Sequence, residues 1–317
     1  MFKKLFLPVG LLSSIAVSMI FPQLGNSIKQ CCGSSVFILL IFIVCGYQTD
    51  FSGSRFDRKF LLSFLVCGVL ALLAAPWLGM AISLLFCLEK VAMTGLVVAA
   101  CVPPTLSSGI VMTETSEGNT MLGVMMTVFY NLLGVITIPL VLAWTLSNKT
   151  DIDTDPLGMF LQLLLLVVLP FAAGFGAKKL LKRKLPPLAG FIPPVCVIVL
   201  ILSFFSSAHA QFRAFPLKAL LLAAAAGFAL RIGLMLMLWF GGVMMKMPLA
   251  DRKAAIFTAS SKTLTIALAI LAILKIGDGP AVIPCMVFYF LQSMIDSLLA
   301  GHLGMAAERK RKLQEKA

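Results

Sequence analysis

Two short polar segments interrupt otherwise apolar stretches of this sequence. The first is PPTLSS at residues 103–108, and the second is TASSKT at residues 258–263. Adjacent prolines remove two backbone donors and collide with the preceding turn, so a helix through Pro103 and Pro104 must break. The break exposes carbonyls and amides beside hydroxyl groups, which suits a small polar ligand. The alternative is a kinked structural helix whose hydroxyls bond to its own carbonyls.

Three ionisable residues, Arg231, Lys262 and Asp296, lie deep in apolar stretches. Each costs about 2.5–3.5 kcal/mol at the centre of a membrane helix unless it is paired or solvated. Counted along their helices, Lys262 and Asp296 reach a similar depth, so they could form a structural bridge. Lys262 could instead be the charged element of a site. Arg231 could reach a water cavity or a group of carbonyls, and its role stays open.

The composition requires a membrane environment for these residues. Of 317 residues, 60% are hydrophobic and 12% are charged, whereas a soluble domain has about 25% charged residues. Runs without any charge exceed the roughly 20 residues that cross a bilayer; they are Phe60–Leu88, Gly118–Asn148, Pro156–Ala177 and Leu185–Phe212. Backbone groups in lipid must pair within their own segment, which selects helices, and the alternation of a β-barrel is not seen.

Charge and hydropathy together predict ten spans. Spans 1–10 are expected near residues 5–21, 30–49, 60–85, 88–116, 118–146, 157–180, 189–208, 217–245, 254–276 and 280–306. The first is interpreted as a helix rather than a signal peptide, and Pro76 and Gly79 could end span 3 early. With both termini cytoplasmic, eighteen loop and terminal lysines and arginines lie inside and six outside. The net charge of +13 therefore reflects topology in an inner (plasma) membrane and not nucleic-acid binding.

The polar loop 147–156 divides the chain into residues 1–150 and 151–317, with five spans each. An odd number of spans reverses the orientation of the second half, which predicts two inverted repeats. Thr105 and Thr258 are separated by 153 residues, close to the 152 between the starts of spans 1 and 6. Spans 4 and 9 are thus predicted to be broken at matching positions and to approach each other.

These motifs resemble those of the bile acid:sodium symporter family. The segment CVPPTLSS from Cys101, VMT from Val111, Gly118-Asn119 and Pro139 are similar to its signature in spans 4 and 5, and ASSKTL from Ala259 resembles its span 9 motif in the YfeH-like branch. The resemblance implies a panel domain of spans 1, 2, 6 and 7 and a core domain of spans 3–5 and 8–10. It also implies crossing of spans 4 and 9, with substrate near the crossing and sodium nearby.

The family's first sodium site, carried over by position, would use Ser107, Ser108 and Thr127, with Asn119 in a structural Gly-Asn turn. Two positions depart from the family pattern. Sodium-dependent members have a carboxylate at the span 9 crossing, where this chain has Thr258, and Lys262 stands where a neutral amide is expected. Sodium is the only cofactor that the resemblance implies. Because of these two departures, the ammonium of Lys262 is expected to take the place of the sodium ion. The alternative is that Lys262 forms a bridge with Asp296 while one sodium ion still binds at Ser107, Ser108 and Thr127.

The sequence predicts a secondary transporter of a small organic anion that works by alternating access. The substrate site is expected to contain Thr105, Ser107, Ser108, Ser260, Ser261, Lys262 and Thr263. Lys262 could also release and regain a proton during the cycle. The alternative is a regulatory or scaffold protein on the same fold. An enzyme is not expected, since Lys275 stands where the G-x-G-D motif of membrane aspartyl proteases needs glycine.

Overall fold

The computed structural model describes residues 10, 13–14, 16–49, 58–106, 108–146, 155–181, 186–207, 209, 215–276 and 280–314, and these contain helices but no β-strand. Eight helices of the described chain are long and apolar enough to cross a membrane. The protein is therefore a multi-pass helical membrane protein. Much of predicted span 1 lies outside the described residues, and residues 16–20 form the end of helix α1.

The remaining helices follow the predicted order and are numbered to match the spans. They are α2 (Pro22–Gln48), α3 (Arg58–Leu85), α4a (Lys90–Cys101), α4b (Ser108–Thr115), α5 (Thr120–Leu146), α6 (Pro156–Leu181), α7 (Ile192–Ser207), α8 (Leu217–Met244), α9a (Leu249–Ala254 with the π-helical turn Ala255–Ala259), α9b (Leu264–Ile273) and α10 (Val282–Gln314). Spans 4 and 9 are each divided into two half-helices, which confirms the predicted breaks.

Helix α3 continues through Pro76 instead of ending there. A π-helical turn, Val69–Ala74, directly precedes the proline, and the Ala75 N–H donates to Leu70 O, five residues back. The wider turn moves carbonyls away from the proline ring, which would otherwise clash with the carbonyl four residues earlier. The adjustment keeps the helix intact but removes the usual helical partner of the Ala71 carbonyl.

Helix α2 begins at Pro22, eight residues before the predicted start. It kinks at Gly33, whose φ is 67°. Glycine adopts this conformation readily because it has no Cβ. The prediction was wrong here because the polar residues before the kink resemble a loop, whereas proline at the first helical position favours helix initiation.

Four helices end in the same way. Their last turns contain a non-glycine residue with positive φ, and the next N–H donates to a carbonyl five residues back, as in a Schellman cap. These residues are Cys87 after α3, Glu117 after α4b, Lys246 after α8 and Lys275 after α9b. The caps of α3 and α8 are 159 residues apart, and those of α4b and α9b are 158 apart.

The helices form two sets of neighbours. Helix α2 packs mainly against α6 and α7, whereas α9a and α9b pack mainly against α3, α4a, α4b, α5, α8 and α10, with α9b also touching α2 and α6. The span Leu249–Ile273 is the most enclosed, with 89% of its apolar window buried. The broken α9 therefore lies at the centre of the second set, where its free backbone groups must find partners inside the protein.

Candidate substrate and ion site

The breaks of α4 and α9 cross and bond to each other. The Thr263 N–H donates to Pro103 O at 3.0 Å. In the reverse direction, Ser261 Oγ lies 3.4 Å from the Thr105 backbone nitrogen and 3.1 Å from Thr105 Oγ1. The predicted approach of the two breaks is confirmed, and these bonds satisfy backbone groups that neither half-helix can pair internally.

The hydroxyls around the crossing also cap the second half of α4. Thr105 Oγ1 accepts hydrogen bonds from the Gly109 N–H at 3.0 Å and from Ser108 Oγ at 2.9 Å. The bond satisfies one of the first amides of α4b, although Thr105 lies three residues before the helix begins rather than at its N-cap. Ser107, predicted as a site residue, lies outside the described residues.

Thr258 occupies the position at which a carboxylate was expected in sodium-dependent relatives. Its Oγ1 lies 2.9 Å from Thr113 Oγ1 of α4b, and Thr258 O accepts from Ser261 Oγ at 2.8 Å. The side chain is fully buried. Two neutral hydroxyls thus meet where α4b and α9a cross, and neither supplies negative charge.

Each break is also supported by an amide side chain from the helix that follows it. Asn131 on α5 donates through Nδ2 to Pro104 O at 3.0 Å. Gln292 on α10 donates to Lys262 O at 3.0 Å and accepts from the Lys262 N–H at 2.8 Å. Sequence reasoning missed both residues, although a lone amide in an apolar helix would have been a usable signal.

Lys262 points away from the crossing and toward α3. Its side chain is 1% exposed, and Nζ donates to Ala71 O at 2.7 Å. That carbonyl is available because the Ala75 N–H bonds to Leu70 O, while Pro76, five residues after Ala71, has no N–H. Pro76 in α3 thereby creates an acceptor for the ammonium of Lys262.

Asp296 pairs with Arg231 and not with Lys262, which contradicts the alternative of a Lys262–Asp296 bridge. Arg231 is fully buried; its Nε lies 2.9 Å from Asp296 Oδ1, and its Nη2 bonds to the same oxygen. Nη1 donates to both the carbonyl and the hydroxyl of Ser260 at 2.8 Å. Counting residues along the helix did not reveal the direction in which Asp296 faces.

Arg231 also binds the end of the π-helical turn in α9a. The Ser260 N–H donates to Ala255 O, so Ile256 O loses its ordinary helical partner and accepts from Arg231 Nη2 at 3.2 Å and from Ser260 Oγ. The guanidinium therefore lies at the negative end of the half-helix dipole, where a cation is favourable. Of the two surroundings that the sequence allowed for Arg231, a water cavity or a group of carbonyls, the structure shows the group of carbonyls.

A small pocket, with a cavity volume of about 30 Å³, lies against the crossing. It is lined by Ile41 of α2, Thr105, Leu106 and Ser108 of the α4 break, Pro193, Pro194 and Val197 of α7, Thr263 and Thr265 of α9, and Tyr289 of α10. Both sets of helices contribute to it. Sequence reasoning identified Thr105, Ser108 and Thr263 but missed the lining from α2, α7 and α10.

Ser260, Ser261 and Lys262 lie behind this pocket rather than on its wall. Ser261 holds the crossing, and Ser260 contacts Arg231. A second, smaller cavity touches Lys262, and it shares Thr263 and Tyr289 with the first pocket. The cavity beside Lys262 thus adjoins the pocket at Thr263 and Tyr289.

Of the carried-over sodium ligands, the structure describes Ser108 and Thr127 but not Ser107. Ser108 Oγ donates to Thr105, while the buried Thr127 Oγ1 and Asn131 Oδ1, one helical turn apart, have no hydrogen-bond partner. These are neutral oxygens, and in the described part of the chain no group of three His, Cys, Asp or Glu residues could hold a metal. Without the carboxylate at position 258, the donor set fits sodium poorly.

Asn119 has the structural role that its motif predicts. Its Oδ1 accepts from the Leu122 N–H at 3.1 Å and caps α5. Its Nδ2 donates to Asp251 at 2.8 Å, and Asp251 also accepts from Ser63 at 3.0 Å. The turn therefore connects the start of α5 to α9a and α3.

Broken helices that cross inside a polytopic helical protein, beside a pocket shared by two helix sets, define a secondary transporter. The chain matches the SBF-like CPA transporter family over residues 6–305 and belongs to that family. The resemblance to the bile acid:sodium symporters is confirmed, and the scaffold alternative is not favoured.

The relatives include plant and animal proteins. "Probable sodium/metabolite cotransporter BASS4, chloroplastic" of Oryza sativa subsp. japonica is 26% identical over 93% of this chain and 74% of its own length. The Arabidopsis thaliana protein of the same name is 25% identical, over 93% and 71%. "Sodium/bile acid cotransporter 7" of Danio rerio is 24% identical, over 71% of this chain and 69% of its own.

Proposed function

We propose that this protein carries a small organic anion across the membrane by alternating access, with the pocket at the crossing as its substrate site. The observation that supports this most strongly is the pocket's composition. Hydroxyls from both breaks line it beside apolar residues of α2 and α7, and no Asp or Glu is among the described residues that line it. Half-helices α4b and α9b begin there, so two positive dipole ends favour an anion.

The names of the relatives agree with an organic cargo, since they refer to metabolites and bile acids. The pocket itself is small and has only hydroxyls as polar side chains. A cargo with one anionic group and a compact apolar body matches it best. Bulky substitution at its wall should therefore block transport.

The proposed architecture is ten helices in two inverted repeats, residues 1–150 and 151–317. Corresponding helix caps recur 158–159 residues apart. With an offset of 158, Pro103 corresponds to Ser261 and Thr105 to Thr263, so the contacts 103–263 and 105–261 are equivalent by symmetry. This favours a correspondence of 158 rather than the predicted 153.

Helices 1, 2, 6 and 7 would be the panel and helices 3–5 and 8–10 the core. Contacts of α2 with α6 and α7 support the first group. Movement of one group against the other would open the pocket alternately to each side. The protein is proposed to lie in the inner (plasma) membrane. The distribution of positive loop residues favours an orientation with both termini in the cytoplasm.

Transport is proposed to need no sodium. Thr258 provides no charge to compensate a bound cation, and Lys262 adds no negative charge in either of its protonation states. The neutral oxygens of Ser107, Ser108 and Thr127 remain the rival sodium site. Flux measured in sodium and in choline buffers separates the two possibilities.

The test uses purified protein in liposomes with labelled pyruvate and taurocholate as probes. We expect influx of at least one probe in the wild type and loss of influx in Ser108→Trp, whose indole would fill the pocket. The control is Ser35→Trp, on the exposed face of α2. Influx that is equal in protein-free liposomes, or unaffected by Ser108→Trp, would count against this site.

A further inference from the structure

The ammonium of Lys262 lies in the protein core without an acidic partner among the described residues. Its Nζ has three donors when protonated, and the bond to Ala71 O uses one of them. The carboxylate of Asp296 is bound to Arg231. A buried charge without a counter-ion is unfavourable. The protonated form of Lys262 therefore needs negative charge that the neighbouring helices do not provide.

The groups that contact Lys262, line the cavity beside it or act on its charge come from four helices. They are the Ala71 carbonyl on α3, the Cys101 thiol on α4a, the Arg231 guanidinium on α8, and Cys285 and Tyr289 on α10, with Asp296 beyond Arg231. Arg231 repels a second positive charge, while the thiols and the phenol are ordinarily neutral. The surroundings thus favour the neutral amine when the transporter is empty.

The anion pocket can reverse this preference. Thr263 and Tyr289 line both the pocket and the smaller cavity that contains part of Lys262. The two spaces are therefore adjacent, although the Lys262 Nζ itself points toward Ala71 O. In a poorly screened interior the negative charge of a bound anion would stabilise the ammonium without direct contact. Anion binding and proton binding would then strengthen each other by equal amounts.

We propose that Lys262 is the proton-binding site that couples anion transport to protons. The neutral amine takes up one proton as an anion enters the pocket, and the ammonium releases it when the anion leaves on the other side. The empty carrier returns with a neutral amine. One anion and one proton cross together, so no net charge moves. This inference rests on the proposed anion transport, which it makes a proton symport.

The first measurement concerns protonation without any ligand. Melting temperatures are recorded from pH 6 to 9 for the full-length wild type, Lys262→Met and Lys262→Gln. An unfolded lysine stays protonated over this range. If the folded Lys262 loses its proton within it, the unfolded state binds more protons, and wild-type stability rises with pH relative to the variants. We expect a difference of about 2 °C per pH unit.

Lys218→Gln, an exposed lysine on α8, is the matched control and should follow the wild type. Equal slopes in the wild type and the Lys262 variants would overturn the proposal. The second measurement needs only the wild type, in case neither variant folds. Liposomes containing the pH dye pyranine receive taurocholate or pyruvate, and the lumen should acidify in step with anion influx.

The two measurements separate failure of this inference from failure of the proposed function. Anion influx without acidification would overturn proton coupling while leaving anion transport intact. Absence of influx for both probes would reject the proposed transport of these anions. A pH slope that depends on Lys262 would then still support protonation of the residue, but the coupling part of the proposal would fall with transport.

Discussion

The breaks of α4 and α9 bond to each other but are made by different means. Two prolines interrupt α4, and its free groups are bonded by neutral partners, among them Asn131. Helix α9 has no proline at its break; a π-helical turn ends α9a, and Arg231 binds the carbonyls that this turn leaves free. The α4 break is thus caused by its two prolines, whereas the α9 break depends on the buried charge of Arg231. The charged break should therefore be the more sensitive to mutation and to protonation.

The largest expected effect comes from separating the buried ion pair. Asp296→Leu leaves Arg231 charged and uncompensated, which should cost about 3–5 kcal/mol of stability. Thermal unfolding in detergent measures this loss. Arg231→Met combined with Asp296→Leu should recover part of it, but not all, because the carbonyls of Ile256 and Ser260 lose their donor. A double variant that is no more stable than Asp296→Leu would argue against charge as the reason.

The two amide caps allow a direct comparison of the halves. Gln292→Leu removes two hydrogen bonds at Lys262, whereas Asn131→Leu removes one at Pro104. At about 1–3 kcal/mol for each buried group left unpaired, Gln292→Leu should be the more destabilising. Melting temperatures of both variants, with the exposed Gln23→Leu as control, test this order. If Asn131→Leu proves the more destabilising, the α9 break does not depend on its amide cap as described.

A proline outside both breaks should have a smaller effect. Pro76→Ala restores an N–H that can compete for carbonyls of the π-helical turn in α3, and it should weaken the bond between Ala71 O and Lys262. We expect a change of about 0.5–1.5 kcal/mol, the net value of one such hydrogen bond. In the Lys262→Met background, Pro76→Ala should leave the free energy of unfolding unchanged or increase it. Equal effects of Pro76→Ala in both backgrounds would mean that the proline does not act through Lys262.

The sequence predicted the parts of the site that depend on local chemistry. Adjacent prolines break a helix in almost any surroundings, so the α4 break and the hydroxyls of Thr105 and Ser108 were found directly. The sequence also indicated the break in α9, because polar residues interrupt an apolar stretch at a matching place. These signals require no knowledge of what the helix packs against.

The unpredicted parts depend on the direction in which side chains face. In helices that are apolar on all sides, periodicity does not reveal the inner face, so Tyr289 and the α7 prolines were missed. Depth along a helix placed Asp296 near Lys262, yet rotation about the helix axis directed it to Arg231. The sequence also did not decide whether α3 ends or continues at Pro76. A π-helical turn depends on the surrounding structure rather than on the preference of particular residues.

The smallest expected effect is the response of the wild type to sodium, which should be close to zero. Replacing choline with sodium should leave its melting temperature unchanged, because the α4 break offers neutral oxygens and the α9 break offers no carboxylate at position 258. Thr258→Glu combined with Lys262→Gln supplies the missing charge and a neutral amide in place of the ammonium. If this variant binds sodium with a Kd near 10 mM, then 100 mM sodium stabilises it by about 1.4 kcal/mol, or about 3 °C. Potassium and choline are the controls for ionic strength. Stabilisation of the wild type by sodium, and not by potassium, would show that the neutral oxygens at the α4 break suffice to bind the ion and that the charge in α9 does not exclude it.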